Sequence, residues 1–165
     1  MISNRGIRNI RKILLSIDGS VTSMRAARYG ISLAMRFKSD LIGLTVIDLT
    51  SLPYGYFVSQ TGTRSHEDDV LEEKRMEGKK LLEEVERSML DALKEAEDTK
   101  VRFRSEILED PFSKVEKVIV EFAEKENVDL IVMGSRGRAG FRRSLLGSVA
   151  LAVLSYARCP VLIVR

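Results

Sequence analysis

Hydrophobic and polar positions change rhythm repeatedly along the chain. Residues 10–17 (IRKILLSI) form a short, mostly apolar run that stops at Asp18-Gly19-Ser20, a turn signal. Residues 24–37 switch to helical spacing, with Ala27, Ile31 and Ala34 on one face. Residues 41–48 (LIGLTVID) read as a second strand. Residues 67–97 predict one long, highly charged helix with Leu82, Val85, Met89 and Leu93 as its buried stripe. Residues 101–108 alternate as a third strand does. Asp110-Pro111 predicts a helix start, an acidic cap followed by a first-turn proline. Val115, Val118, Ile119 and Phe122 then fall at i, i+3, i+4 and i+7. Residues 128–133 (VDLIVM) are apolar almost throughout, the pattern of a strand buried on both faces. Residues 145–157 predict an apolar helix ended by Cys159-Pro160, and residues 161–164 (VLIV) the last strand.

Strand and helix alternate five strands long, which implies a parallel sheet covered by helices on both faces. The expected architecture is an α/β, doubly wound, five-stranded parallel sheet of strand order 3-2-1-4-5, Rossmann-like, in one domain over 1–165 with its core from about residue 10. In that order the winding reverses between the first and fourth strands. Ligands of open α/β sheets bind beyond the carboxyl ends of strands at such a switch point. The segments after Ile17 and after Met133 are therefore where chemistry is expected. Residues 49–65, with Pro53, Gly55, Gly62 and the aromatics Tyr54, Tyr56 and Phe57, show no periodicity. A loop that long is functional or disordered. The aromatics could close over a ligand, although packing of the loop itself is the favoured reading.

Composition narrows the chemistry. Cys159 is the single cysteine and His66 the single histidine, so an intramolecular disulfide and a four-ligand Cys/His zinc site are both impossible. Cys159 reads as a half-buried structural thiol, with Arg158 beside it as a weak argument for activation. No apolar run approaches the roughly 18–20 residues needed to cross a bilayer. The opening residues lack the apolar core of a secretory leader, and Ile2 replaces the glycine of a myristoylation signal. A cytoplasmic protein without a membrane partner is expected. The net charge of +3 conceals a split: residues 134–165 carry six arginines and no acid, whereas residues 66–98 carry thirteen acids and six bases. The acidic segment reads as the wet face of its helix. The basic one suits nucleic acid or a small phosphate-bearing ligand, and its glycines favour the small ligand.

Those glycines follow the fourth strand as Gly134-Ser135-Arg136-Gly137, then nine residues, then Gly147-Ser148 at a helix start. Glycines let backbone N–H groups converge on an anion, and a helix N-terminus adds unsatisfied donors and a positive dipole end. Ser148 adds a hydroxyl; Arg136 and Arg138 add charge. The alternative is that the glycines serve only a tight turn and a close helix contact. The lysine P-loop pattern and Gly-x-Gly-x-x-Gly after the first strand are both absent, which argues against an ordinary P-loop NTPase and a dinucleotide dehydrogenase. Asp18, across the switch point, could accept hydrogen bonds from a ribose or a base, or only order its turn. Ser20 is expected to cap the helix that follows. Val46, ending the second strand, could pack against a base or simply belong to the core.

With these residues in view, the chain resembles the universal stress protein family. Ile13-Leu14-Leu15-Ser16-Ile17-Asp18-Gly19-Ser20, Thr45-Val46-Ile47-Asp48 and Asp110-Pro111 each resemble family segments. Residues 128–165 resemble the family's ATP-binding half nearly throughout. The resemblance implies the adenine nucleotide alpha hydrolase-like variant of the fold and ATP as ligand, with Mg2+ or Mn2+ as its companion ion. It places Ile17, Asp18, Gly19 and Val46 around the adenosine. It places Met133, Gly134, Ser135, Arg136, Gly137, Arg138, Gly147, Ser148 and Val149 around the phosphates and ribose. Glu109 departs from the glycine that the family often has there.

The last strand lies at the sheet edge in the expected order, and an apolar unpaired edge invites pairing with a second copy. The resemblance also implies homodimers through residues 161–164. Three function classes stand at this point: an ATP-binding stress-response or signalling regulator, a slow ATPase or self-phosphorylating enzyme acting on Ser144 or Ser148, and a nucleotide-free dimeric interaction module. No general base stands beside the glycines and no Walker lysine is present, which favours binding over catalysis and leaves no residue assigned as catalytic.

Overall fold

The computed structural model describes residues 9–49, 66–95, 101–110, 113–138 and 146–165. Five strands are present among them: β1 (Lys12–Ser16), β2 (Asp40–Ile47), β3 (Phe103–Glu109), β4 (Leu130–Gly134) and β5 (Val161–Val164). They alternate with α1 (Val21–Phe37), α2 (His66–Glu95), α3 (Val115–Lys125) and α4 (Ser148–Tyr156). The strands form one parallel sheet of order β3-β2-β1-β4-β5, as the alternation predicts.

The period of two in a strand sorts its side chains between two cores. Ile13 and Leu15 of β1 join Leu130 and Val132 of β4 against Ala26, Ala27, Ile31 and Ala34 of α1, with Val85 and Met89 of α2. Leu14 joins Ile42, Leu44, Ile131 and Met133 on the other face, against Ile119 and Phe122 of α3 and Ala150 and Val153 of α4. Ile13, Leu14, Leu15, Ile131 and Val132 are fully buried, each contributing about 1.5–3 kcal/mol of transfer free energy. β1 and β4 are thus the centre of the protein. The switch point sits at their carboxyl ends.

Element starts depart from the sequence reading where capping and turn bonds set them. α1 begins at Val21, not residue 24, because Ser20 caps it and accepts the Ser23 N–H at 3.1 Å. Asp110 does not open α3. Its Oδ1 accepts the Ser113 N–H at 3.1 Å and closes a turn, and the helix starts at Val115 behind Lys114, which makes no side-chain cap bond. Pro111 lies outside the described residues. α4 begins at Ser148, because Gly147 N–H donates to Ser135 O at 2.8 Å and holds Gly147 extended as the N-cap.

β4 ends hard against α1. A Cβ on Gly134 would lie 2.6 Å from Ser23 N and 2.6 Å from Thr22 Oγ1, a clash with main chain that no rotamer relieves. Gly134→Ala should therefore cost about 1–3 kcal/mol. Urea unfolding should show a lowered midpoint with an unchanged slope; an unaltered midpoint would mean that α1 moves aside freely.

Candidate functional site

A cleft of about 520 Å³ opens at the switch point. Its inner end is formed by Ser16, Val46 and Met133 from β1, β2 and β4, with Val115 and Ile119 of α3. Its mouth is formed by Asp18, the 134–138 segment and the first turn of α4. An apolar slot thus leads to a rim of main-chain donors, arginines and one carboxylate.

The rim is held by side chains that bind main chain. Ser20 Oγ and Thr22 Oγ1, at the start of α1, donate to Arg136 O at 3.1 and 2.6 Å. Ser135 N donates to Val164 O at 2.7 Å, and Ser135 O accepts from Gly147 N, so the same residue ties the turn to β5 and to α4. No side chain caps α4. Its first N–H groups, at Ser148, Val149 and Ala150, have no intrahelical acceptor by geometry, and all three residues line the cleft. Arg136 Nε is buried and has no hydrogen-bond partner among the described residues. Donors without acceptors on both sides of one opening are what an anion requires.

Among the residues named from the sequence, all but Gly19 and Ser135 line the cleft. Gly19 adopts φ +79 in the turn below Leu81, and Ser135 is buried, so both act on the backbone path. Ile17 lines the cleft, and its side chain packs with Ile13 and Leu15 in the α1–α2 core. Asp18 Oδ1 accepts the Ser20 N–H at 3.0 Å, so this carboxylate orders its turn while facing the cleft. Arg138 Nη1 is paired with Glu77 Oε1 of α2 at 2.5 Å. Val46 packs against the α3–α4 core and lines the cleft as well.

Sequence reasoning missed Ser16, Val115 and Ile119. Counting by two from Leu14 finds Ser16, and the apolar face of α3 contains the other two. Tyr54, Tyr56, Phe57, Arg142, Arg143 and Ser144 lie outside the described residues. No group of three or more His, Cys, Asp or Glu side chains among the described residues could hold a metal ion. No helix there is long and apolar enough to cross a membrane. Burial pushes the Cys159 thiol pKa up, and Arg158 pairs with Glu124 at 3.0 Å, so the arginine does not activate the thiol.

The family model described as the universal stress protein family matches residues 9–165. Universal stress protein MJ0531 of Methanocaldococcus jannaschii is 38% identical over 171 residues, which span 99% of this chain and 89% of the relative. The solved structure of MJ0577, a universal stress protein of the same organism, is similar with a TM-score of 0.72 and 26% identity, covering 94% of this chain and 96% of that one. The crystal structure of a universal stress protein in complex with cAMP is similar with a TM-score of 0.60 and 25% identity, covering 95% of this chain and 98% of that one.

The shared acceptor at Arg136 makes a testable pair. Ser20→Ala and Thr22→Val should each cost about 1 kcal/mol. In either single variant the remaining hydroxyl still satisfies the Arg136 carbonyl. The double variant should therefore lose about 0.5 kcal/mol or more beyond the sum, measured by chemical denaturation. Strict additivity would show that the two hydroxyls do not share that acceptor.

Proposed function

This chain belongs to the universal stress protein family, and from that premise we propose that it binds ATP in the switch-point cleft as a nucleotide-dependent stress-response or signalling regulator with little or no turnover. The observation that carries this reading is the convergence of the 134–137 turn, the uncapped start of α4 and the unpartnered Arg136 Nε on one cleft. The apolar inner end suits a flat base, and the donor-rich rim suits a chain of phosphates. The relative solved with cAMP supports an adenine nucleotide as the class of ligand.

Each residue has a distinct part in this reading. Val46 and Met133, from the strands on either side of β1, pack against one side of the base. Asp18 faces the ribose with its second oxygen, the first being held by Ser20. Arg136 and the main chain of the turn hold phosphate oxygens, and the α4 dipole adds attraction of about 0.3–1 kcal/mol per terminal charge. Arg138 joins them once it leaves Glu77. A companion Mg2+ or Mn2+ would shield phosphate charge, and among the described residues Asp18 is the one carboxylate lining the cleft that could help hold it. Among the described residues no lysine lines the cleft, which leaves no ammonium there to aim at a leaving phosphoryl group. Occupancy, rather than turnover, is then the signal.

Gly147 offers a clean test. A Cβ there would meet Arg136 Cα at 3.5 Å and Ser135 O at 3.6 Å, ordinary contacts that the fold accommodates. The added atoms would instead fill the space between the turn and α4. Gly147→Val should stay folded and lose ATP binding in calorimetry; unchanged affinity would sink the cradle assignment.

The same reading makes the chain a homodimer through β5. Among the described residues this strand pairs only with β4, and Val161, Leu162 and Ile163 are half-buried. Beside it α4 exposes Leu151 (54%), Leu154 (46%) and Tyr156 (70%). Antiparallel pairing of two β5 edges about a two-fold axis would satisfy the free main chain and cover part of this surface. Sedimentation at micromolar concentration should give twice 18.6 kDa, and Ile163→Asp should shift it toward monomer. A folded wild-type monomer would end the proposal.

A further inference from the structure

The inner end of the cleft is apolar except at one position. Val46, Val115, Ile119 and Met133 surround it, and among the described residues Ser16 is the single polar side chain set among these four. Ser16 is the last residue of β1, in register with Leu44 on one side and Met133 on the other. Its main chain is therefore locked between two strands. Its side chain follows the face of Leu14, toward α3 and α4.

The Ser16 hydroxyl has no hydrogen-bond partner among the described residues. Polar groups nearby are engaged. Ile17 N–H donates to Leu44 O at 2.8 Å, and Ile17 O accepts from Thr45 Oγ1 at 3.1 Å. Ser23 Oγ donates to Ser20 O at 3.0 Å. A hydroxyl that faces an apolar slot without a protein partner bonds to water until a ligand replaces that water. Alanine would fill the same place without this demand. The serine is thus a polar handle whose acceptor or donor must come from outside the chain.

We infer that Ser16 is a specificity-determining residue for the base, its hydroxyl hydrogen-bonding a polar edge of the purine seated against Val46 and Met133. The inference rests on the proposed binding of ATP and deepens it. Apolar walls supply contact area to any flat ring, whereas one hydroxyl at a fixed depth favours a ring that reaches it and carries a matching polar atom. A purine extends farther from the ribose than a pyrimidine does, so with the ribose held at Asp18 an adenine would come closer to Ser16 than a uracil would.

Calorimetry of the full chain and its Ser16→Ala variant with ATP, UTP and inorganic triphosphate tests this. Loss of one neutral hydrogen bond should weaken ATP about three- to tenfold. UTP and inorganic triphosphate should be unaffected, and the melting temperature should hold within a degree or two. Unchanged ATP affinity in the variant would overturn the inference. Equal weakening of ATP and inorganic triphosphate would also overturn it, since the serine would then be supporting the fold of the cleft. A wild-type chain that binds triphosphate and UTP as tightly as ATP would remove base reading altogether. A wild-type chain that binds none of the three would refute the ATP proposal itself, and this inference with it.

Discussion

The cleft depends on one close approach, that of the carboxyl end of β4 to the start of α1. Gly134 permits it, because any side chain there would enter the main chain at Ser23. Contact at that distance puts Ser20 and Thr22 within reach of the Arg136 carbonyl, and their two hydrogen bonds fix the direction of the turn. The turn then presents Ser135 O to Gly147, which sets where α4 begins. Each step is a main-chain constraint imposed by the previous one. Were β4 held an ångström farther from α1, the turn and the α4 start would no longer face a common volume, whatever side chains lined it.

Much of this was legible in the sequence because it is carried by local pattern. Short apolar strands alternating with helical spacing leave few topologies, and the observed order is the expected one. The Gly134-to-Ser148 spacing marked the turn and helix start that frame the cleft. Reading ran out where a partner far along the chain decides the outcome. Arg138 faces Glu77, a residue of another helix. Asp110-Pro111 looks like a helix start, yet Asp110 is satisfied by Ser113 before the helix begins. Ser16 is a different kind of miss. Alternation along β1 assigns it to the cleft face, where it lines the cleft together with Ile17.

Charge is distributed less simply than the split along the chain suggests. Arg138 is paired with Glu77 and Arg158 with Glu124, so acidic residues of α2 and α3 offset part of the basic segment. Both pairs involve exposed arginines, where such contacts contribute about 0–1 kcal/mol. Glu77 is therefore a weak competitor for Arg138 against a multiply charged anion. Arg136 differs from both. Its carbonyl is fixed by two hydroxyls while Nε lacks a partner, so the backbone is ordered and the donor is open.

Helix α4 borders both proposed surfaces. Its nine residues are too few for a helix to persist on propensity alone, so its stability comes from packing. Ala150 and Val153 supply that packing against the α3 side of the sheet. Its first turn lines the cleft, and Leu151 both lines the cleft and stands exposed next to Leu154. Ser135 links these parts from beneath, bonded to Val164 at the end of β5 and to Gly147 at the start of α4. A displacement of the turn that moved Ser135 would therefore act on the helix start and the edge strand together. The sheet edge and the anion-facing rim are mechanically one unit, joined through a residue whose importance lies wholly in its main chain.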